Sequence, residues 1–275
     1  MELTRLGAIR HGQDGAIWGN LLFRFDHQGR CYVYDLSRDG FPEAGYFRLD
    51  RWETLCPHSN SVTFGPDYWA EGDEFPLLYS NIYNNYAKAE NRLEGTCCVY
   101  RIFRENGVFK STLVQLLRVC FVADEALWGI GDNIRPYGNF VVDRENRILY
   151  AFTMRDKEQT TRYFAFPLPD VRVGFQDGWL RICPLEEPLF WFDTPYHRFI
   201  QGACVHNGNI ISVEGFTGSE QNPPALRVID PRKREQVAFC LFADLGSRVE
   251  PECVDFQGDT CWYSEGRGNL YELKL

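Results

Sequence analysis

The sequence repeats one short pattern, in which a polar residue opens an apolar strand, a turn follows, and a second apolar strand returns. Residues 13–22 and 201–211 match each other with one residue of slippage, and residues 139–152 and 252–264 have the same form. A looser fifth copy lies within residues 60–80, where a longer polar and aromatic connection separates the two strands. The pattern is typical of a tight β-hairpin, so the sequence predicts five hairpins distributed along the chain.

Further strand-like runs follow the hairpins, which gives three to four strands per unit. The hairpins begin near residues 13, 60, 139, 201 and 252. In this organisation the chain resembles the β-propeller superfamily, and five blades fit the spacing better than six or seven. The resemblance implies an all-β fold in a single domain over residues 1–275, with residues 3–10 pairing with the C-terminal strand to close the ring. It rests on the hairpins alone, because the sequence has no diagnostic family motif.

Charge and composition exclude several kinds of partner. The formal net charge is −9 and the longest run of Lys and Arg is the three residues 232–234, so we expect no nucleic-acid partner. The first residues lack the apolar region of a signal peptide, and no stretch approaches the roughly 18 apolar residues of a membrane span, so we expect a cytoplasmic protein without membrane contact. The ten cysteines are scattered without a CxxC pair, which indicates reduced thiols that pack as small apolar side chains.

The first strand of every propeller blade lines the central channel, so the residues that open these strands are expected to face one another. All five opening residues are polar: Gln13, Asn60, Asn139, Gln201 and Glu252. Converging polar groups indicate a small-molecule or ion site at the mouth of the channel. The alternative is that these side chains cap backbone groups or hold channel water.

Residues two positions before an opening residue are expected on the same strand face, because side chains alternate along a strand. The ones added to the predicted site in this way are His11, His58, Tyr137 and Glu250. Arg135 also precedes an inner strand, and its planar guanidinium is predicted to hold an anionic group of the ligand. An ion pair with Asp132 is the alternative for Arg135.

Two carboxylates, Glu250 and Glu252, are spaced two residues apart on an extended strand, where they can share a cation or divide acid and base roles. Together with His58 they are the predicted catalytic residues. A divalent cation, calcium or manganese, is the predicted cofactor, and its predicted ligands are Glu252, Asn139 and Asn60. Carboxylate and amide oxygens are the ligand types that such hard cations take.

Aromatic side chains make up 15% of the chain, and most are expected in the blade cores. Trp69 lies in a polar segment and is the predicted platform for a sugar, and residues 65–75 are the predicted lid over the mouth. The sequence therefore predicts a protein that binds a carbohydrate or a related small polar molecule at the channel mouth. The alternative is a glycoside-active enzyme or a metal-assisted hydrolase, similar to propeller lactonases, which use a carboxylate and asparagines from different blades.

Overall fold

A computed structural model of the chain describes residues 1–55, 57–82, 95–120, 138–155, 157–197 and 199–275. Its strands form five small sheets arranged in a ring, which confirms the predicted all-β fold and the five-bladed β-propeller. We number the blades I to V in the order in which the chain forms their innermost strands. The described ranges contain little helix, namely one turn over Trp52–Leu55 and a 3-10 turn over Phe242–Leu245.

The chain begins with strand β1 (Glu2–Ala8) and then forms the blades in turn. From the channel outward, blade I contains β2 (Gly15–Trp18), β3 (Leu21–Phe25), β4 (Arg30–Asp35) and β5 (Glu43–Arg48). Blade II begins with β6 (Val62–Phe64), β7 (Leu78–Asn81), β8 (Thr96–Glu105) and β9 (Val108–Val119). Blade III begins with β10 (Asn139–Asp143), β11 (Ile148–Arg155) and β12 (Thr160–Pro167).

The chain leaves blade III after β12 and returns to it later. The strands formed in this excursion are β13 (Phe175–Asp177) and β14 (Leu180–Leu185), and β15 (Phe190–Pro195) then completes blade III. The β13–β14 hairpin joins the neighbouring blade II, where β14 pairs in parallel with β9 and Ile182 lies opposite Leu116. Blade II therefore has six strands, and the hairpin fastens its outer edge to blade III.

The last two blades follow the simple order. Blade IV contains β16 (Ile200–His206), β17 (Asn209–Glu214), β18 (Ala225–Asp230) and β19 (Glu235–Leu241). Blade V contains β20 (Pro251–Gln257), β21 (Thr260–Glu265) and β22 (Asn269–Lys274). Its outermost strand is β1, which pairs antiparallel with β22 so that Leu3 lies opposite Leu273. This pairing confirms the predicted closure of the ring by the two ends of the described chain.

The hydrophobic core consists of five clusters, each packed between two neighbouring sheets. Alternating apolar residues supply them, because every second side chain of a strand points to the same face of its sheet. Phe23 of blade I, for example, packs edge-on against Phe64 of blade II with ring centroids 5.1 Å apart. Burying one such side chain stabilises the fold by roughly 1.5–3 kcal/mol.

Within the described ranges, no helix has the length and apolar character needed to cross a membrane. The cysteines in these ranges are all free thiols, and most of them are buried within the sheets. Burial raises the pKa of the Cys97 and Cys204 thiols well above their usual range. The described thiols therefore act as small apolar side chains, as the sequence predicts.

Candidate functional site

The five inner strands all begin at one end of the central channel, which we call the start mouth, and finish at the other, which we call the end mouth. The predicted opening residues lie at the start mouth, each within two positions of the first residue of an inner strand. Four of them, Asn60, Asn139, Gln201 and Glu252, are buried, and Gln13 is half-buried. The structure thus places these side chains at the same end of the channel, and what they bind stays a prediction.

Two of the opening residues lie in β-bulges. Ile200 pairs with Glu214 and Gly202 with Val213, so Gln201 has no partner in the β16–β17 ladder. Glu252 is the unpaired residue of the equivalent shift between β20 and β21. A bulge bends its strand and re-aims a side chain, and bulges are common beside functional sites. The blades therefore present Gln201 and Glu252 in equivalent ways at the start mouth.

Glu252 is the most unusual of these residues. Its side chain is buried, with 6% of the residue exposed, and its Oε2 has no hydrogen-bond partner in the described part of the chain. Burial raises the pKa of this carboxyl well above its usual range, the charges of Glu250 and Asp14 raise it further, and Arg24 lowers it. The carboxyl is therefore a strong proton acceptor once ionised, and it keeps its proton to higher pH than an exposed glutamate.

The positive charge near Glu252 comes from Arg24, in the middle of the otherwise apolar strand β3. Arg24 is fully buried, and its Nη2 donates a hydrogen bond to the carbonyl oxygen of Gly12 at 2.9 Å. Its Nε and Nη1 are buried without a hydrogen-bond partner among the described residues. Arg24 was not among the predicted site residues, although one charged residue inside the run Leu-Leu-Phe-Arg-Phe is a signal that the strand needs a buried counter-charge.

Asp14 is fully buried and joins three blades across the channel. Its Oδ2 accepts hydrogen bonds from the backbone N–H of Val62 at 2.9 Å and of Ala203 at 3.4 Å. Residue 202 must be glycine for this contact, because a Cβ there would lie 2.8 Å from Asp14 Oδ1. Burial raises the pKa of Asp14 well above its usual range, while the amides of Val62 and Gly15 lower it.

Three asparagines form a second buried group at the same mouth. Asn81 Nδ2 donates to Asn60 Oδ1 at 2.7 Å and to Asn139 Oδ1 at 3.0 Å. Asn60 Nδ2 in turn donates to the carbonyl oxygen of Ile200 at 3.0 Å. Asn81 is the last residue of β7 in blade II and was not among the predicted residues. The group ties blades II, III and IV together through side-chain amides.

This geometry does not fit the predicted cation. The Oδ1 atoms of Asn60 and Asn139 converge on an amide N–H donor, Asn81 Nδ2, at the position that a cation would need. No contact in the described ranges joins Glu252 to either asparagine. Among the same residues, no group of three or more His, Cys, Asp or Glu side chains is arranged to hold a metal ion. We therefore derive no chemical step through a metal.

Glu250 lies beside the cluster, although it precedes β20 instead of sharing a strand face with Glu252. Its Oε1 accepts a hydrogen bond from Gln201 Nε2 at 2.6 Å, and burial raises the pKa of its carboxyl. Gln13 contributes an Oε1 that is buried without a hydrogen-bond partner among the described residues. The start mouth thus brings together Glu250, Glu252, Asp14 and Arg24, with the amides of Gln13 and Gln201 around them.

The other predicted residues are less closely associated with this cluster. His11 is exposed, and His58 lies beside His27, where burial and the charge of His27 lower the pKa of His58 to about 4. The expected alternation fails for both histidines because β2 begins only at residue 15 and β6 at residue 62, so neither is in a strand. Arg135 and Tyr137 lie outside the described residues.

Trp69 lies at the opposite end of the channel from the one expected. The connection over residues 65–77 follows inner strand β6, and an inner strand finishes at the end mouth. There Arg172, from the excursion between β12 and β15, donates from Nη2 to the carbonyl oxygen of Trp69 and lies 5.6 Å from its ring centroid. The segment predicted as a lid therefore does not border the cluster around Glu252.

Comparisons with known proteins support the fold. Over 100% of this chain and 94% of its own, a glutaminyl cyclase from Myxococcus xanthus superimposes with a TM-score of 0.54 at 11% sequence identity. The Saccharomyces cerevisiae protein Sqt1 gives a TM-score of 0.40 at 8% identity, over 93% of this chain and 55% of its own. No protein-family model and no curated protein matches the sequence. At such identities the likeness concerns the fold alone, which is that of a β-propeller.

Proposed function

We propose that the protein binds a small polar molecule at the start mouth and that Glu252 is the group that anchors it. The observation that carries this proposal is the buried Oε2 of Glu252, which has no hydrogen-bond partner in the described part of the chain. Burying a carboxyl without partners is unfavourable, and native proteins nearly always satisfy such groups. A ligand that donates a hydrogen bond to Glu252 removes this penalty.

The same blade shows how this chain treats a structural carboxylate. Glu265, in the next strand, is 1% exposed and accepts hydrogen bonds from Ser247 Oγ at 3.1 Å and from Asn269 Nδ2. Both of its oxygens are satisfied, whereas Glu252 Oε2 is not.

Asp14 and Glu214 also have one buried oxygen without a partner in the described ranges, but the other oxygen of each accepts a hydrogen bond. No described residue donates a hydrogen bond to Glu252. The difference favours a ligand at Glu252 over a purely structural role.

The cluster indicates what the ligand carries. Glu252 Oε2 and Gln13 Oε1 are both acceptors without partners in the described ranges, so the ligand brings hydroxyl, amide or amine hydrogens. Arg24 offsets part of the negative charge of Glu252 and Asp14. A small neutral molecule or a weakly basic amine therefore suits the site better than an anion. Tyr137 remains part of the proposal, and so does Arg135, whose guanidinium can donate to a neutral carbonyl or hydroxyl oxygen of the ligand as well as to an anionic group.

A second candidate function is acid–base catalysis on the bound molecule. It is favoured by the raised pKa of Glu252, since a general acid works best when its pKa lies near the working pH. The glutaminyl cyclase that shares the fold is an enzyme by name, which shows that this architecture can carry catalysis. In this reading Glu252 gives a proton to the ligand or takes one from it, and Glu250 and Arg24 set the charge around it.

The test is a thermal-shift screen of sugars, polyols, amino acids and amides against the wild type, Glu252→Gln and Glu265→Gln. A ligand at 100 times its dissociation constant adds about 2.7 kcal/mol of stability, which raises Tm by roughly 5–10 °C for a chain of this size. We expect at least one compound to stabilise the wild type and the Glu265→Gln control but not Glu252→Gln. A full shift in Glu252→Gln with every stabilising compound would contradict the proposal.

Turnover separates the two candidate functions. Each stabilising compound is incubated with the wild type and followed by NMR. A new product with the wild type that is absent with Glu252→Gln would establish catalysis at this site. An unchanged compound that still protects the wild type would leave binding alone.

A further inference from the structure

A second site lies at the end mouth, at the opposite end of the channel from Glu252. Its cavity of about 500 Å³ is formed where β2 and β20 finish, and a volume of this size is typical of small-molecule pockets. We call it the end groove and define it by Trp18, Asn20, Arg144, Phe256 and Gln257. These residues come from three blades, since Trp18 and Asn20 belong to blade I, Arg144 to blade III, and Phe256 and Gln257 to blade V.

Aromatic side chains form two walls of the end groove, and both are held by neighbours. The Trp18 ring meets Tyr68 edge-on, with centroids 6.3 Å apart at an angle of 77°. Phe256 stacks on His206, with centroids 3.7 Å apart and planes within 5°. Such contacts fix the orientation of each ring, so the walls are already formed before a ligand arrives.

The polar side chains of the end groove are also held in place, by hydrogen bonds to their neighbours. Gln257 Nε2 donates to the carbonyl oxygen of Gly19 at 3.0 Å and to Asn20 Oδ1 at 2.9 Å. This orientation leaves Gln257 Oε1 as an acceptor and Asn20 Nδ2 as a donor, neither used by another described residue. Arg144 donates from Nε to the carbonyl oxygen of Phe64 at 2.8 Å, and its guanidinium carbon lies 5.4 Å from the centroid of the Trp18 ring, over part of that ring. Within the described ranges its terminal nitrogens donate to no other group.

An adjoining cavity of about 330 Å³ extends the end groove along the channel mouth. The two cavities share Arg144, Phe256 and Gly258. The second adds four carboxylates, which belong to Asp143, Glu145, Asp255 and Asp259. The lining is therefore acidic on balance, which disfavours an anionic ligand, and the carboxylates can accept hydrogen bonds from hydroxyl groups. The combined volume of the two cavities leaves room for more than one ring.

We propose that the end groove binds a neutral carbohydrate of one or two rings, whose apolar C–H face packs on Trp18 and Phe256. A sugar has both a flat apolar face and a rim of hydroxyls that donate and accept hydrogen bonds. The rim meets Gln257 Oε1, Asn20 Nδ2 and the Arg144 guanidinium, which together offer an acceptor and several donors. This site is separate from the start mouth, so the proposal does not depend on the function proposed there.

The test is isothermal titration calorimetry of the wild type with maltose, cellobiose, lactose and diacetylchitobiose. We expect at least one of them to bind with a Kd on the order of 1 mM or below. Trp18→Ala is expected to weaken that binding about tenfold or more, and Trp18→Phe to retain most of it, because phenylalanine keeps an aromatic face. The matched control is Trp179→Ala, which removes an exposed tryptophan outside the groove.

Two further variants allow the proposal to be tested even if Trp18→Ala misfolds. If Trp18→Ala does not fold, Asn20→Ala and Gln257→Ala remove the paired polar groups from exposed or half-buried positions, and each is expected to weaken binding several-fold. Glu265→Gln, which alters a buried carboxylate outside both proposed sites, should leave sugar binding unchanged, and Glu252→Gln reports any binding of the sugar at the start mouth. The proposal is overturned if none of the four disaccharides binds, or if binding is lost in Glu252→Gln and kept in the folded end-groove variants, which would place the sugar at the start mouth.

Discussion

The two mouths of the channel are built from the same inner strands but treat their polar side chains in opposite ways. At the start mouth, Glu252 and Arg24 carry buried polar atoms without hydrogen-bond partners in the described ranges. At the end mouth, Arg144, Gln257 and His206 are each held by a neighbour. At the start mouth, a ligand can therefore supply hydrogen bonds that buried groups of the protein lack. At the end mouth, the polar side chains already have partners, and a ligand would bind on their exposed surface.

The largest expected difference between the two mouths is in the stability lost when an arginine is replaced at each of them. Arg24 is fully buried beside Asp14 and Glu252, so Arg24→Met leaves two buried carboxyls without their cation. Removing one partner from a buried charge cluster costs roughly 3–5 kcal/mol. Arg144 is half-exposed, and Arg144→Met is expected to cost about 1 kcal/mol, the net worth of one hydrogen bond. Urea denaturation of both variants measures the difference.

The loss of stability in Arg24→Met should also depend on pH. Burial already raises the pKa of Asp14 and Glu252, and Arg24 lowers it, so the variant raises both values further. A carboxyl whose folded pKa is raised favours folding at low pH, and this contribution is lost as pH rises through the folded pKa. The deficit of Arg24→Met should therefore be larger at pH 8 than at pH 5. Equal deficits for Arg24→Met and Arg144→Met, constant with pH, would remove the distinction between the mouths.

The next largest loss of stability is expected from replacing the buried aspartates. Asp14→Ala deprives the buried amides of Val62 and Ala203 of their acceptor, and an unsatisfied buried group costs about 1–3 kcal/mol. We expect a net loss of about 2–3 kcal/mol, and faster hydrogen exchange at both amides. Asp255 at the other end accepts a hydrogen bond from the amide of Ile17 at 2.6 Å and one from its neighbour Phe256, and it joins only two blades, so Asp255→Ala should cost less than Asp14→Ala.

The control for this pair is Asp14→Asn, which keeps an acceptor for the two amides and removes only the charge. Its stability should lie close to that of the wild type at neutral pH. If Asp14→Asn is as damaging as Asp14→Ala, the ionised carboxylate is what joins the blades, and the raised pKa of Asp14 is not the governing feature.

The fold was predictable from the sequence because its strongest signals are local. Each inner hairpin is encoded within a short segment, as in residues 139–152, and the closing strand β1 follows from a blade that lacks its outer strand. The pairing of β14 with β9 was not predictable in this way. The two strands are parallel and more than 60 residues apart in the sequence, and neither a turn nor the hydrophobic periodicity indicates which distant strand will pair.

The site was predictable only in part, for a similar reason. The opening residues were found because polar residues recur at the starts of apolar strands. Asn81 and Arg24 were missed because their importance comes from neighbours in other strands and blades. The expected same-face partners, His11 and His58, failed because alternation holds only inside a strand. The bulge at Glu252, which unpairs this residue from the ladder, depends on a register that periodicity does not reveal.

The smallest expected effect on stability comes from Glu252→Gln, and it is expected to be a gain, not a loss. Glu252→Gln removes a buried charge whose Oε2 has no hydrogen-bond partner in the described ranges, while Asp14 remains as a counter-charge for Arg24. The ligand-free variant should therefore be more stable than the wild type at neutral pH, by roughly 1–2 kcal/mol or about 2–6 °C in Tm. Since the pKa of Glu252 is raised, the wild-type carboxyl is already protonated in acid, and the gain should shrink as pH falls toward 4. Glu265→Gln, which disturbs a satisfied carboxylate of the same blade, should give no gain at any pH. Thermal melts of the three proteins between pH 4 and pH 8 decide the matter, because a neutral or destabilising Glu252→Gln would mean that its Oε2 is satisfied within the folded chain and needs no ligand.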